Sequence, residues 1–491
     1  MSLRQRLAEL HGWAGLASSW LLFVILFSGS LACFDKEIER WMRPLLHTPQ
    51  PIEASAQQVL QWLEQHNHAE LHAIWMQPPA PRQPYWRLIW ETASGARQQV
   101  LLDPQYAQPL PASVGGEFFL TLHWNLHSGT PGMYLVGLAG MLMLVALLSG
   151  LLIHRRLIRD FFTFRRRASA PRAWLDLHNL AGVSALPFHL FMAYSGVAIM
   201  VASYMPAAAQ WLYGSDLEQF AMEASGSYHR DELQRPGPAS LPVQQVLEQA
   251  QARWNGAPIL WINIEHPDDA SAVIQVRQRN DSTIASPQQH LYFAAENGAL
   301  LHHQQPSDAY QAYTWMTGLH KGQFAEAPLR LLYLLLGLAG CLMLLAGNQL
   351  WLRKRQARDG QPRALLQAIN AGVFQGLPLA CLALLWSNRL LPQHWPGRDA
   401  LEAASFALTW LGYALCCMAW RHHPARGRRW YLFGGLAIAL PLLAPLQVPG
   451  HLLTSLANAD WALAAIDLAL LGAGLVCLYV AQHAARGPRT C

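Results

Sequence analysis

Apolar and polar positions alternate along this chain on two different scales. Eight unbroken apolar runs, near 13–34, 132–153, 179–203, 328–352, 366–388, 401–420, 430–447 and 461–483, are each long enough to cross a bilayer, which takes about 20 residues of helix. Between them lie two long polar stretches, roughly 40–120 and 207–318, with finer patterning. In the first, ASAQQVLQWLEQH has helical apolar spacing, and ELHAIWMQ, PYWRLIWET and RQQVLLDP alternate as strands do. The second gives PVQQVLEQAQARW, then APILWINIEH, SAVIQVRQR and QHLYFAAENGALL. Each stretch predicts a helix packed on a small antiparallel sheet, with Asp-Pro and Asn-Gly turns ending or interrupting the last strands.

Composition sharpens the class. With 52% hydrophobic residues, 13% charged ones and 20 tryptophans in 491 residues, the chain is a polytopic membrane protein and not an ordinary soluble domain. The first span runs on into DKEIERWMRP without a small-residue cleavage site, so it reads as a retained anchor.

Charge sets the expected orientation, because short loops rich in Lys and Arg stay in the cytoplasm. HRRLIRDFFTFRRRASAPR follows the second span, Arg353, Lys354 and Arg355 close the fourth, and Arg486 and Arg489 follow the eighth. Both termini are expected inside, and the two polar stretches outside. These loops account for most of the +5 net charge, so no nucleic-acid partner is implied. Six of the seven cysteines sit in or beside spans, Cys491 is terminal, and no C-x-x-C-H occurs. Neither a disulfide framework nor covalent haem attachment is expected.

The chain also repeats itself. LHGWAGLASSWLLFVILFSGSL (10–31) lies over LHNLAGVSALPFHLFMAYSGVA (177–198) without a gap, matching His11 with His178. GLAGMLML (137–144) differs from GLAGCLML (337–344) at one position, and LHSG (126–129) answers LHKG (319–322). The first four spans therefore predict a tandem parallel repeat, each half being span, outer domain, span. The resulting domain map is 1–39 for the first span, 40–126 for the first outer domain, 127–172 for the second span and its basic loop, 173–206 for the third span, 207–326 for the second outer domain, 327–363 for the fourth span and its loop, and 364–491 for a four-helix extension.

Histidines are where chemistry can reside. His178 and His189 are 11 residues apart, which on one straight helix places them on one stripe about 16 Å apart. His11, His178 and His154 lie near the cytoplasmic ends of their spans, His127 and His320 at the outer ends, and His123 one turn before His127. Three readings compete. Each histidine can satisfy a local hydrogen bond; the set can pass metal ions, although carboxylates and thiolates are missing from the spans beside it; or pairs of histidines can ligate b-type haem from two faces. Repeat symmetry supplies two such pairs, His11 with His178 and His127 with His320. His154 and His189 belong to no repeat pair. Neither polar stretch shows a phosphate loop, a nucleophile elbow or a metal-ligand cluster by spacing.

GLLIHRRLIRDFFTFRRR and RAWLDLHNLAGVSALPFHLFMAYSG resemble the signature region of PepSY-associated transmembrane proteins, and the two polar stretches resemble their PepSY domains. The likeness covers about 1–355. It implies an α-helical inner-membrane protein with two small α+β periplasmic PepSY-like domains, related to iron-regulated proteins and dihaem siderophore reductases; the count of about eight spans rests on the apolar runs, and 364–491 adds four spans outside the likeness. The histidines carried by the motif, His11, His123, His127, His154, His178, His189 and His320, then become cofactor ligands, holding two bis-histidine b haems. The expected activity is transmembrane electron transfer to a periplasmic acceptor, a ferric siderophore, whose reduction to Fe(II) loosens hard oxygen ligands and releases the metal. A separate cytoplasmic reductase or membrane quinol is the expected donor, because no nicotinamide-binding or flavodoxin-like pattern is present. Trp124, Tyr134, Tyr313 and Trp315 would line the acceptor side, although aromatic belts at the bilayer interface use the same residues. The alternative is a haem-free scaffold whose PepSY domains bind a periplasmic partner such as a protease.

Overall fold

The computed structural model describes residues 2–153, 169–214, 216–238, 240–280, 283–285, 289–359, 364–420 and 428–485. The chain divides into two compact units, one of Met1–His47, Pro111–Val197 and Ala327–Cys491, the other of Thr48–Leu110 and Ala198–Glu326.

The first unit is helical. Its long helices are α1 (Leu3–Ala32), α5 (Gly129–Ile153), α10 (Ala327–Asp359), α13 (Arg398–Ala419), α14 (Arg428–Leu443) and α15 (Trp461–Ala485), with α11 (Ala364–Phe374) and α12 (Gly376–Leu390) running in sequence. Among the described residues, seven stretches are long and apolar enough to span a membrane, or eight when the bent pair α6 (Ala170–Ser184) and α7 (Leu186–Ile199) counts as one. Every apolar run of the sequence becomes helix, since a backbone in hydrocarbon must satisfy its own hydrogen bonds. Two shorter helices, α2 (Asp35–Met42) and α4 (Glu117–Asn125), follow α1 and precede α5.

The third span departs from the straight helix expected for it. Its two segments meet at 66°, with Ala185 at φ −109°, ψ 11° between them. Pro187 has no N–H to offer the carbonyl of Val183, and its ring crowds that turn, so the helix breaks and restarts. His178 and His189 thus sit on different segments, and the expectation of one shared stripe is corrected.

α1 is the central helix. Its spanning window is 56% buried, against 28% for α5 and 33% for α10, which leaves leucines such as Leu135, Leu138 and Leu148 of α5 uncovered for lipid. The extension beyond 364 packs on α1 and α2. Phe23 meets Phe374 edge-on at 4.7 Å, Trp20 donates its indole N–H to Asn370 Oδ1 at 2.6 Å, and Trp41 donates to Asp467 Oδ1 at 2.9 Å.

The second unit is built on one antiparallel sheet of order β3-β2-β1-β4-β5-β6-β7. Strands β1 (Leu71–Gln77), β2 (Trp86–Thr92) and β3 (Arg97–Leu102) come from the first polar stretch; β4 (Ile259–Glu265), β5 (Val273–Gln278), β6 (His290–Ala294) and β7 (Leu300–His303) come from the second. The small sheets expected separately join edge to edge through β1 and β4, where Ile74 pairs with Ile264 and Met76 with Ile262. Period-two alternation puts those four residues on one fully buried face. Helices α3 (Ala56–His66) and α8 (Val243–Arg253) add Val59, Leu63, Val246 and Ala250 to the same core. Pairing also removes two exposed strand edges, each a template for unwanted association. Helix α9 (Asp308–Lys321) completes this unit.

Candidate functional site

Four histidines of the helical unit are held in the same way. His11 Nδ1 donates to the carbonyl of Ala146 on α5 at 2.8 Å, and His178 Nδ1 to that of Met343 on α10 at 2.9 Å. His123 Nδ1 donates to the carbonyl of Ile25 on α1 at 2.8 Å, and His189 Nε2 to that of Leu336 on α10 at 2.9 Å. In every case a glycine four residues beyond that carbonyl faces the ring: Gly150, Gly347, Gly29 and Gly340 in turn. A helical carbonyl already accepts from the N–H four residues on, and a side chain at that position would stand where the imidazole approaches. Glycine opens the carbonyl's second lone pair to a neighbouring helix, the use that close helix contacts make of small residues.

That bond fixes each tautomer. In His11 and His178 the proton lies on Nδ1, so Nε2 keeps its lone pair, which is how a ligating imidazole is held by its outer partner. The two rings come from α1 and α6, with centroids 6.2 Å apart and planes at 74°. They front a cavity of about 840 Å³ between α1, α5, α6 and α10. Gly12, Gly15, Leu22, Met143 and Gly182 give it apolar walls, while Arg4, Arg172, Lys354 and Arg355 stand against Glu9 and Asp176 among its charged lining. Arg355 lies over Trp13 and Trp351, 5.5 and 5.2 Å from the ring centres, and Arg172 pairs with Asp176 at 3.2 Å. The lining thus combines apolar walls with four basic and two acidic side chains.

A family model, PepSY-associated TM region, matches residues 8–354. The chain belongs to the PepSY-associated transmembrane family. An uncharacterized protein of Pseudomonas aeruginosa is 28% identical over 303 residues, covering 57% of this chain and 76% of that one. The matched span takes in the whole His11–His178 cavity lining except Arg4 and Arg355.

The remaining expected residues of this PepSY-associated protein are placed less uniformly. His127 has φ +53° in the turn after α4; its Nε2 donates to the carbonyl of Phe118 at 2.9 Å and its ring lies 4.3 Å from the Phe118 ring, so its Nε2 is engaged within its own turn. His320 falls in the last turn of α9, in the other unit. His189 is fully buried, and its arrangement is reversed: Nε2 is bonded and Nδ1 has no hydrogen-bond partner. His154 lies outside the described residues. Trp124, Tyr134 and Trp315 are about half exposed, and the Tyr313 hydroxyl donates to the carbonyl of Ile199 at 3.1 Å.

Sequence reasoning missed a buried polar network in the helical unit. Glu402, wholly buried, accepts from Ser113 Oγ, the Val114 N–H, Asn388 Nδ2 and, at 3.1 Å, Arg398 Nη1. The Arg389 guanidinium sits 3.6 Å over Trp41, and Glu37 pairs with Arg330 at 2.9 Å. Asp467, inside an otherwise apolar span, was the available signal, since ionisable residues there are costly and need partners. Also missed was a cluster of His72, Glu232 and His266 in the sheet unit, whose ligand atoms lie within 4.8 Å of one another. The expectation of no metal-ligand cluster in the polar stretches is corrected: these residues are remote in sequence, so no spacing could reveal them.

Proposed function

We propose that the protein is an inner-membrane b-haem oxidoreductase that passes electrons across the bilayer to a periplasmic acceptor, a ferric siderophore. One observation carries the reading: His11 and His178, from two helices, line one cavity side by side, each with its Nδ1 bonded to a backbone carbonyl. Their ring centroids lie 6.2 Å apart. His11 and His178 would hold the iron, and Arg4, Lys354 and Arg355 would meet the propionates. When bound, a b haem would supply reversible one-electron chemistry.

Gly150 and Gly347 let the two ligand rings sit against their helices, and the carbonyls of Ala146 and Met343 accept their Nδ1–H groups and hold the rings in orientation. Positive-inside charge puts this pair towards the cytoplasm, where a quinol or separate reductase delivers electrons. His123 has the same Nδ1 arrangement and is the better ligand candidate for a second haem than His127. The acceptor would be received beside the sheet unit, in keeping with its periplasmic assignment.

A second reading has support as well: a histidine bonded to a carbonyl is also how a buried imidazole serves a haem-free scaffold. A reduced-minus-oxidised spectrum of the full chain purified from heterologous membranes separates the two. The oxidoreductase reading expects a b-type α band that weakens in both His11→Ala and His178→Ala. Absence of any such band in the folded wild type leaves the scaffold.

A further inference from the structure

We infer that the sheet unit carries a binding site for a divalent first-row transition cation, formed by His72, His266 and Glu232. This is independent of the haem reading, which uses other residues in the other unit.

The three ligands come from three separate segments, and one turn fixes them all. His266 follows β4 and has a left-handed backbone, φ +50°, a strained conformation for a residue other than glycine. Its N–H donates to the carbonyl of His72 on β1 at 2.9 Å, which locks the two histidines across the join between the sheet's halves. Their rings are 5.0 Å apart. Asp268 accepts the N–H of Leu71, the residue before His72, at 3.1 Å. Asp269 accepts the N–H groups of Leu233 and Arg235, each at 3.0 Å, and so holds the segment that presents Glu232. Donors fixed by their supporting shell before the metal arrives are what a metal site requires.

The side chains add a second observation. His266 is 9% exposed, and its Nδ1 has no hydrogen bond although Glu232 Oε1 lies 2.6 Å away. The carboxylate is close but off the direction in which an N–H would donate. One ligand atom from each of His72, Glu232 and His266 lies within 4.8 Å of the other two, close enough for one cation to take all three. Two imidazoles and one carboxylate make a borderline donor set that favours Zn²⁺, Co²⁺ or Fe²⁺ over Ca²⁺ and Mg²⁺, which prefer oxygen. His72 and Glu232 are exposed, so a bound cation keeps open positions for water or a further ligand. His229, whose ring is 5.9 Å from that of His266 and whose Nδ1 is 3.5 Å from Glu265, stands ready at the edge of the site. A cation here would staple β1, the end of β4 and the 232–235 segment together.

Co²⁺ is the probe, because its visible d–d bands report nitrogen and oxygen ligation directly. Titrated into the untagged full-length protein in detergent, it is expected to give a saturable band at one equivalent, which excess Zn²⁺ abolishes and a hundredfold excess of Ca²⁺ leaves in place. His72→Ala and Glu232→Gln, both at exposed positions, should each weaken that binding at least tenfold with the thermal midpoint of the metal-free protein unchanged. His11→Ala should retain it. No saturable band in the wild type, an equal band in both variants, or displacement by Ca²⁺ would each overturn the assignment.

Discussion

His11 and His178 stand with ring centroids 6.2 Å apart, yet neither is held by the other. Each is bonded to a carbonyl of the helix beside it, Ala146 for one and Met343 for the other. Their spacing is therefore set by how α1 packs on α5 and α6 on α10, and small changes at those contacts should be felt at the rings.

Gly347 tests this. A Cβ added there would lie 3.1 Å from His178 Nδ1, tighter than ordinary contact, so the ring or helix must yield by a few tenths of an ångström. Gly347→Ala is expected to shift the reduced-minus-oxidised spectrum or lower cofactor retention in purified protein. Gly412→Ala, which meets nothing within 4 Å, should leave both unchanged. An unperturbed Gly347→Ala spectrum would argue that His178 is not a ligand.

Glu402 anchors the extension to the rest of the helical unit. Glu402→Ala leaves Arg398, only 2% exposed, as a buried charge without its partner, and breaking such a pair typically costs about 3–5 kcal/mol. Heating in detergent should show a large drop in midpoint for Glu402→Ala. A smaller drop is expected for Glu402→Gln, which keeps acceptors for Ser113 and the Val114 N–H. Equal midpoints for wild type and Glu402→Ala would show that the network contributes little.

His47 gives a dependence on pH. Burial first, then the neighbouring Arg389, lower its pKa from 6.5 to about 4, and Arg40 adds to the effect while Asp460 opposes it. Between those two values the unfolded chain binds the proton and the folded chain does not, so stability rises with pH across this window. Stability from this group is complete above about pH 6.5 and is lost as pH falls towards 4, by about 3 kcal/mol at most. Thermal midpoints from pH 7 to pH 4 should fall less steeply for His47→Gln than for wild type; parallel curves would exclude the mechanism.

Pro187 is expected to hold the bend in the third span. Pro187→Ala restores an N–H for Val183 and removes the ring that crowds the turn. Spin labels at positions 180 and 194 should then move apart, towards the roughly 21 Å that 14 residues of straight helix span. An unchanged distance would mean that packing on α10, not proline, sets the 66° angle.

The spans were legible because a bilayer demands long apolar helices, and the strands because alternation follows from the pleat. The extents of β1, β2 and α3 come out within two residues of their sequence patterns. His11 and His178 occupy matched positions of 10–31 and 177–198, and their ring centroids lie 6.2 Å apart. What the linear pattern could not carry were relations between residues far apart in the chain. The joining of β1 to β4, the partner of Glu402 in the loop at 113, and the gathering of His72, Glu232 and His266 each depend on which surfaces meet after folding.

The sequence by itself determined the membrane-spanning helices, the helix-and-strand content of the polar stretches and the family, all of which follow from local periodicity and short motifs. Only the tertiary structure decided which backbone groups hold the histidine rings. Ala146, Met343, Ile25 and Leu336 offer backbone carbonyls, groups every residue has and no pattern marks. A glycine four residues on makes them accessible, and only helix packing brings an imidazole there to use them.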